Sequence, residues 1–307
     1  MKAKGKDMEL DKRVSGTTKL TGLIGNPVEH TVSPVLHNTL FNMMGQNGIY
    51  IPMKPDRRNL KDAVAGLRAA GFAGFNVTIP FKEAILEYLD ESSEEVRLLG
   101  TANTVHIKDG RLIGHNTDGD GFIRAFEKQT GTSLKGKTVC ILGAGGTAKA
   151  LAVKIAIEGA DRICIINRTK SKADEIAEYI NRSLKSVLKN NAPACTAAAD
   201  SDEACSVIDQ YEVIVNTTSV GMHPDIEASP LSDDIRFLSK PIVYDVIYNP
   251  PETMLLRQAA SKGCMAVNGA GMLFYQGLRA FEIWMGTTVP ESIVDDLLTE
   301  FLKYLAV

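Results

Sequence analysis

The chain has 307 residues, 44% hydrophobic and 23% charged, an ordinary globular balance and a length suited to two domains rather than one core. A formal net charge of −3 argues against broad nucleic-acid or anionic-membrane binding, so an anionic ligand would need a local cluster of positive charge. No segment reaches the roughly 18 apolar residues of a membrane span, and the polar opening MKAKGKDMELDKRVSGTT has no apolar signal core and reads as a frayed tail.

From the amino end, KLTGLIGN reads as a strand and turn. Ser33 is a good N-cap and Pro34 a tolerated first helical residue; Leu36, Leu40, Met43 and Met44 give that helix one apolar face, and Gly45 stops it. GIYIPM is the next strand, and Leu60, Val64 and Leu67 mark a second helix ended by Gly71. Phe75 to Ile79 form a buried strand stopped by Pro80, with FKEAILEYL expected as a helix and Lys82 near its start. Strand–helix–strand order with apolar strands predicts a mostly parallel sheet covered by helices. TANTVHIKDGRLIGH breaks the pattern: two β-rich runs flank Asp109-Gly110, a hairpin turn signal.

DGFIRAFEKQTG is then a helix leaving the first domain, and the boundary is placed near residue 119. The following order is again βαβ: KTVCILG, a helix apolar almost all round (TAKALAVKIAIEG), DRICIINR, and a helical stripe of Ala173, Ile176, Ala177 and Ile180. Residues 181–205 are polar and alanine-rich and receive no assignment. YEVIVNTTS and PIVYDVIYNP are two more strands, and Pro251 is expected to start a helix that Gly263 ends. MLFYQGLRAFEIWMG and ESIVDDLLTEFLKYL are closing helices expected to return to the first domain. The chain thus reads as α/β with two domains: 1–118 plus 269–307, and 119–268. The scattered cysteines (Cys140, Cys164, Cys195, Cys205, Cys264) form no CxxC, which points to reduced thiols and a cytoplasmic home.

ILGAGGTAKA is G-x-G-x-x-A, following an apolar strand and opening a buried helix, the context a dinucleotide site requires. Gly143 permits the tight turn, Gly145 lets a pyrophosphate approach the backbone, and Ala148 packs closely. With Ala144, Gly146 and Thr147 they form a loop at a helix N-terminus, where unpaired N–H groups favour phosphate. The competing reading is a tight turn with no ligand. The next strand ends in Asn167, Arg168 and Thr169, with Lys170 and Lys172 following and no acid. Such a cluster attracts a 2′-phosphate where an acid would repel it, so NADP(H) is the expected cofactor. The bland alternative is a solvated basic turn.

Ligands of open parallel sheets sit at the carboxyl ends of strands. Lys82 follows one such end, Ser33 lies just past another, and Asn103 and Asp118 flank the hairpin. A lysine beside an aspartate suits a proton donor and its orienting anion; taken singly, Asp118 is also a candidate N-cap and Asn103 a turn former. His30, His37, His106, His115 and His223 show no metal spacing. No metal is expected, and His37 reads as structural.

The segments GNPVEHTVSPVLHN, NVTIPFK, GTANTV, HNTDGDGF, GAGGTAKA, NRTKSKA and NGAGMLFYQG, in that order over most of residues 19–285, together resemble the shikimate dehydrogenase family. The resemblance implies a substrate domain joined to a Rossmann-type domain, and reversible NADPH-dependent reduction of 3-dehydroshikimate to shikimate on the route to aromatic amino acids. It implies Lys82 and Asp118 as the catalytic pair, and Ser33, Thr78, Asn103 and Gln276 as holders of substrate hydroxyls and carboxylate. Tyr248 would lie near the substrate, Gly269 and Met272 near the nicotinamide, and Thr218 with the cofactor. Two positions depart from the family pattern: Thr31 stands where serine is usual and Lys172 where arginine is common. Thr31 keeps the hydroxyl and is expected to keep its role in substrate binding; Lys172 keeps the charge without the guanidinium fork. Residues 181–205 also run longer than the family pattern. The partner is a small molecule, with no nucleic acid and no membrane, and a homodimer is compatible with the sequence. The alternatives are an NAD-dependent quinate/shikimate dehydrogenase, a non-catalytic dinucleotide sensor and, more remotely, a folate dehydrogenase of related architecture.

Overall fold

The computed structural model describes residues 14–184, 194–198 and 207–305. Most of the expected N-terminal tail and most of the unassigned 181–205 stretch, Cys205 included, lie outside the described residues.

The first sheet begins with β1 (Lys19–Ile24), α1 (Ser33–Met43), β2 (Gly48–Met53), α2 (Leu60–Ala69) and β3 (Gly74–Val77). It continues with β4 (Glu91–Ser92), α3 (Glu94–Leu99), β5 (Thr104–Lys108) and β6 (Arg111–His115). Its strand order is β2-β1-β3-β5-β6-β4. β1 runs parallel to β2 and β3, β4 runs parallel to β6, and the β3–β5 and β5–β6 pairings are antiparallel. Asp109 and Gly110 both have positive φ, 52° and 74°, the backbone of a type I′ hairpin turn.

Then come α4 (Asp118–Thr130), β7 (Thr138–Leu142), α5 (Gly146–Ile157), β8 (Arg162–Asn167), α6 (Lys170–Ser183), β9 (Ala194–Ala198), β10 (Val213–Asn216) and β11 (Ile242–Asp245). The chain closes with α7 (Met254–Ser261), β12 (Met265–Val267), α8 (Ala270–Met285) and α9 (Glu291–Leu305). The second sheet is parallel throughout, in the order β12-β11-β10-β7-β8-β9. The strand order reverses between β7 and β10, the switch point at which doubly wound sheets bind ligands. α8 returns to the first sheet: Trp284 Nε1 donates to Val105 O at 2.9 Å, and Phe281 meets Phe41 edge-on at 5.0 Å.

Several local expectations are corrected. Val32, not Ser33, occupies the N-cap of α1, and Thr31 Oγ1 accepts from Ser33 N at 3.3 Å. The Ser33 hydroxyl is therefore not consumed by capping. The helix expected over FKEAILEYL is only a short 3-10 turn, Ala84–Tyr88. It gives way to β4 and to α3, whose N-cap Ser93 accepts from Val96 N at 3.3 Å. α7 starts after its N-cap Thr253 rather than at Pro251. Asp118 is the first residue of α4, behind the N-cap Thr117.

Candidate active site

Because β5 and β6 form a hairpin antiparallel to β3, the residues before β5 and after β6 emerge beside the carboxyl ends of β1 and β3. That reversal brings Asn103 and Asn116–Asp118 to the same edge as Thr78 and Lys82. The contacts there are direct. Lys82 Nζ lies 2.5 Å from Asp118 Oδ2, with the two side chains 28% and 11% exposed, so both are reachable yet shielded from bulk screening. Asn103 Nδ2 donates to Asp118 Oδ1 at 2.7 Å and to Thr117 Oγ1 at 3.0 Å, while Thr117 N donates to Asn103 Oδ1 at 2.8 Å. Asp118 also sits in the first turn of α4, where the helix dipole favours a carboxylate.

Lys82, Asn103 and Asp118 line a cleft of about 500 Å³ between the two sheets. Thr31, Ser33, Thr78, Lys82, Asn103 and Asp118 form one wall; Thr147, Tyr248, Gly269, Met272 and Gln276 complete it. The Gln276 amide donates to Leu273 O at 2.9 Å, which leaves its carbonyl oxygen for the cleft. Burial pushes the Tyr248 phenol above its ordinary value, so it stays protonated as a donor. A Cβ on Gly269 would stand 2.0 Å from Val246 O; only glycine permits this crossing of α8 over the strand end.

The remaining cofactor candidates lie along the carboxyl ends of β7, β8 and β10. Gly143 has φ +107°, and a Cβ there would meet Thr217 Oγ1 at 2.7 Å, so both backbone and packing demand glycine. Gly145 caps α5, whose first turn holds no acid and no side-chain cap. A Cβ on Gly145 or Gly146 would meet nothing within 4 Å. The protein's own packing does not require these two glycines, and the space over the N–H groups fits a pyrophosphate. Asn167 Nδ2 closes the basic turn on Thr169 O at 2.9 Å. Lys170 pairs with Asp174 at 3.0 Å, whereas Arg168, Thr169 and Lys172 point to solvent. Thr218 is turned inward: its Oγ1 donates to Asn216 Oδ1 at 2.7 Å.

Reading the sequence missed three groups at the cleft: Asn76, His30 and Met222. The signals available were an asparagine inside an apolar strand, since a buried amide must find partners, and the places of Asn76 and His30 within NVTIPFK and GNPVEHTVSPVLHN. Met222 and Ile79, 43% and 70% exposed, are apolar residues at the cleft, and of the two only Ile79 falls within a quoted motif, NVTIPFK. His37 is structural, stacked on Tyr50 at 4.2 Å and pushed down to about 3 by burial.

Asp245, at the end of β11, is fully buried and holds the Rossmann-side wall together. Asn216 Nδ2 and Ile247 N donate to its Oδ1 at 3.0 Å, and Thr253 Oγ1 to its Oδ2 at 2.7 Å. Burial raises its pKa from 3.8 to about 6, against those three bonds. A raised folded-state pKa stabilises the fold below the unfolded value and loses that contribution as pH rises through about 6. Urea titrations should therefore show wild type losing about 1 kcal/mol relative to Asp245→Asn between about pH 5 and 7. A difference that does not change with pH would mean that Asp245 titrates as an ordinary carboxylate.

Three family models match in succession: the shikimate dehydrogenase substrate binding domain over residues 23–105, shikimate / quinate 5-dehydrogenase over 125–231, and the shikimate 5'-dehydrogenase C-terminal domain over 269–298. A shikimate dehydrogenase (NADP(+)) of Methanopyrus kandleri is 39% identical over 96% of this chain and its own full length. The chain belongs to the shikimate dehydrogenase family. Among solved structures, the Listeria monocytogenes shikimate 5-dehydrogenase in complex with shikimate and NAD is similar with a TM-score of 0.84 and 36% identity, covering 94% of this chain and 99% of that one. A quinate dehydrogenase from Corynebacterium glutamicum in complex with NAD is similar at 0.81 and 30% identity, covering 93% and 99%.

Proposed function

We infer that this chain catalyses the reversible, NADP-dependent reduction of 3-dehydroshikimate to shikimate, in the biosynthesis of aromatic amino acids. The observation that carries the reading is the Lys82–Asp118 pair, braced by Asn103, across a cleft from Thr147, Gly269 and Met272. We propose residues 1–118 plus 269–307 as the substrate unit and 119–268 as the cofactor unit. Shikimate or 3-dehydroshikimate and NADP(H) are its partners.

NADPH, when bound, supplies the hydride that reaches the ketone carbon. Residues 143–147 would hold its pyrophosphate, Arg168, Thr169 and Lys172 its 2′-phosphate, and Gly269 and Met272 would border the nicotinamide. Lys82, as an ammonium, donates a proton from Nζ toward the carbonyl oxygen as negative charge develops there. Asp118 holds Nζ in place with one oxygen, and Asn103 holds the other. In the reverse direction Lys82 accepts the hydroxyl proton. Thr31 and Ser33, at the N-terminus of α1, offer hydroxyls and a favourable dipole to the substrate carboxylate. Thr78 and Gln276 bond the ring hydroxyls, with the Tyr248 phenol beside them.

The second reading is an NAD-dependent quinate dehydrogenase, favoured by the similarity to the Corynebacterium enzyme. Rates of the purified protein with shikimate and quinate, each with NADP and with NAD, separate the two. No turnover with shikimate under any pairing would end the first reading.

Thr31 offers a finer test. Its oxygen accepts from Ser33 N, and its proton remains for the substrate. Thr31→Ser should stay within about fivefold of wild type in kcat/KM. Thr31→Val should lose roughly 1–3 kcal/mol of shikimate affinity, because a polar ligand group is left unpaired. Equal affinity of wild type and the valine variant, by calorimetry, would place Thr31 outside the substrate site.

A further inference from the structure

Two cleft-lining amides, Asn76 and Asn103, are joined behind the cleft wall by a residue that does not itself line the cleft. Asn76 of β3 and Thr104 of β5 are direct partners across the antiparallel ladder, so their side chains meet on one face. Thr104 is fully buried. Its Oγ1 accepts from Asn76 Nδ2 at 3.0 Å and lies 3.0 Å from Asn103 Oδ1, to which it donates. Asn103 then presents Nδ2 to Asp118 Oδ1 at 2.7 Å, and Asp118 holds Lys82.

We infer that Thr104 is a positioning residue for the reaction, its single buried hydroxyl fixing the amides of Asn76 and Asn103 toward the cleft and thereby bracing the Lys82–Asp118 pair. The direction of each link is set. Asn76 Nδ2 also faces Asn103 O at 3.3 Å, and Asn103 Oδ1 also accepts from Thr117 N at 2.8 Å. A backbone carbonyl only accepts and a backbone N–H only donates, so neither amide flips without facing like with like. Between these two amides the Thr104 hydroxyl is the shared member, spending its proton on one and a lone pair on the other.

The inference rests on the reading of Lys82, Asp118 and Asn103 given above. Thr104→Val keeps the branched shape and deletes the hydroxyl; Thr104→Ser keeps the hydroxyl and deletes the methyl. With one hydrogen bond removed from each of the two buried amides, Asn76 keeping Asn103 O and Asn103 keeping Thr117 N, Thr104→Val should lose about tenfold or more in kcat with shikimate. Its KM for NADP should stay within about twofold, since the hydrogen bonds of the Thr104 side chain to described residues all stay on the substrate side. Thr104→Ser should stay within about threefold of wild type, and Thr104→Val added to Asn103→Ala should cost little beyond Asn103→Ala alone. A readout independent of turnover is the side-chain amide signal of Asn103, assigned by its loss in Asn103→Ala: its proton exchange should quicken in Thr104→Val and not in Thr104→Ser. Wild-type rates from Thr104→Val, equal damage from the serine variant, additive losses, or unchanged amide exchange would each overturn the inference. If wild type itself fails to turn over shikimate, the functional reading falls, and the amide exchange alone decides whether Thr104 positions Asn103.

Discussion

Lys82→Ala is expected to fold, to bind shikimate with a modest change in KM, and to lose about 10²–10⁴ of its kcat, the usual contribution of a general acid–base group. Folding should survive because Lys82 stabilises little by burial: its side chain remains 28% exposed, and its partner Asp118 keeps a bond to Asn103 on its other oxygen. The carboxylate left behind faces a cleft open to water, which avoids the larger penalty of an unpaired charge in a sealed interior. KM should change little because Ser33, Thr31, Thr78 and Gln276, the substrate holders proposed above, are left in place. In the proposed mechanism Lys82 acts instead on charge that develops at the carbonyl oxygen during hydride transfer, and interactions made only in the transition state appear in kcat. Steady-state kinetics of both directions, with circular dichroism to confirm the fold, make the test. A variant within about threefold of wild type across pH would return Lys82 to an ordinary surface role.

NADP is expected to exceed NAD by about two orders of magnitude or more in kcat/KM. Among the residues following β8, Lys170 is held by Asp174, whereas Arg168 and Lys172 are exposed and make no ion pair with a described residue. A 2′-phosphate at this turn gains one or two charge-assisted hydrogen bonds, each worth roughly 1.5–3 kcal/mol before exposure and salt erode it. Each 1.4 kcal/mol is about a factor of ten. Arg168→Ala should raise KM for NADP and leave KM for NAD nearly unchanged, since NAD carries no phosphate to lose. Added salt should weaken NADP more than NAD for the same reason. A wild-type enzyme that prefers NAD would make the basic turn mere surface and move the quinate reading ahead.

The features legible in the amino-acid sequence alone are those with short-range causes. Gly143 announces a positive φ, Asp109-Gly110 a hairpin turn, and the apolar face of Ala173, Ile176, Ala177 and Ile180 one buried helix side, because sterics and periodicity act over a few residues. The glycine loop and the acid-free basic turn are readable for the same reason: each is one contiguous piece of backbone with its own charge. The family motifs carry the rest of the site, as segments rather than as contacts.

What only the tertiary structure decided is how distant polar groups pair. Lys82 meets Asp118 across 36 residues, and Asn76 reaches Thr104 across 28, because an antiparallel hairpin folds back onto a parallel strand and fixes their register. The burial of Asp245, the short turn in place of a helix after Pro80, and the displacement of Ser33 from the N-cap of α1 have the same origin. A polar side chain carries its donors and acceptors in its chemistry. Which of them are satisfied, and by whom, depends on the strands and helix ends that packing sets beside it, and an amino-acid sequence does not encode that neighbourhood locally.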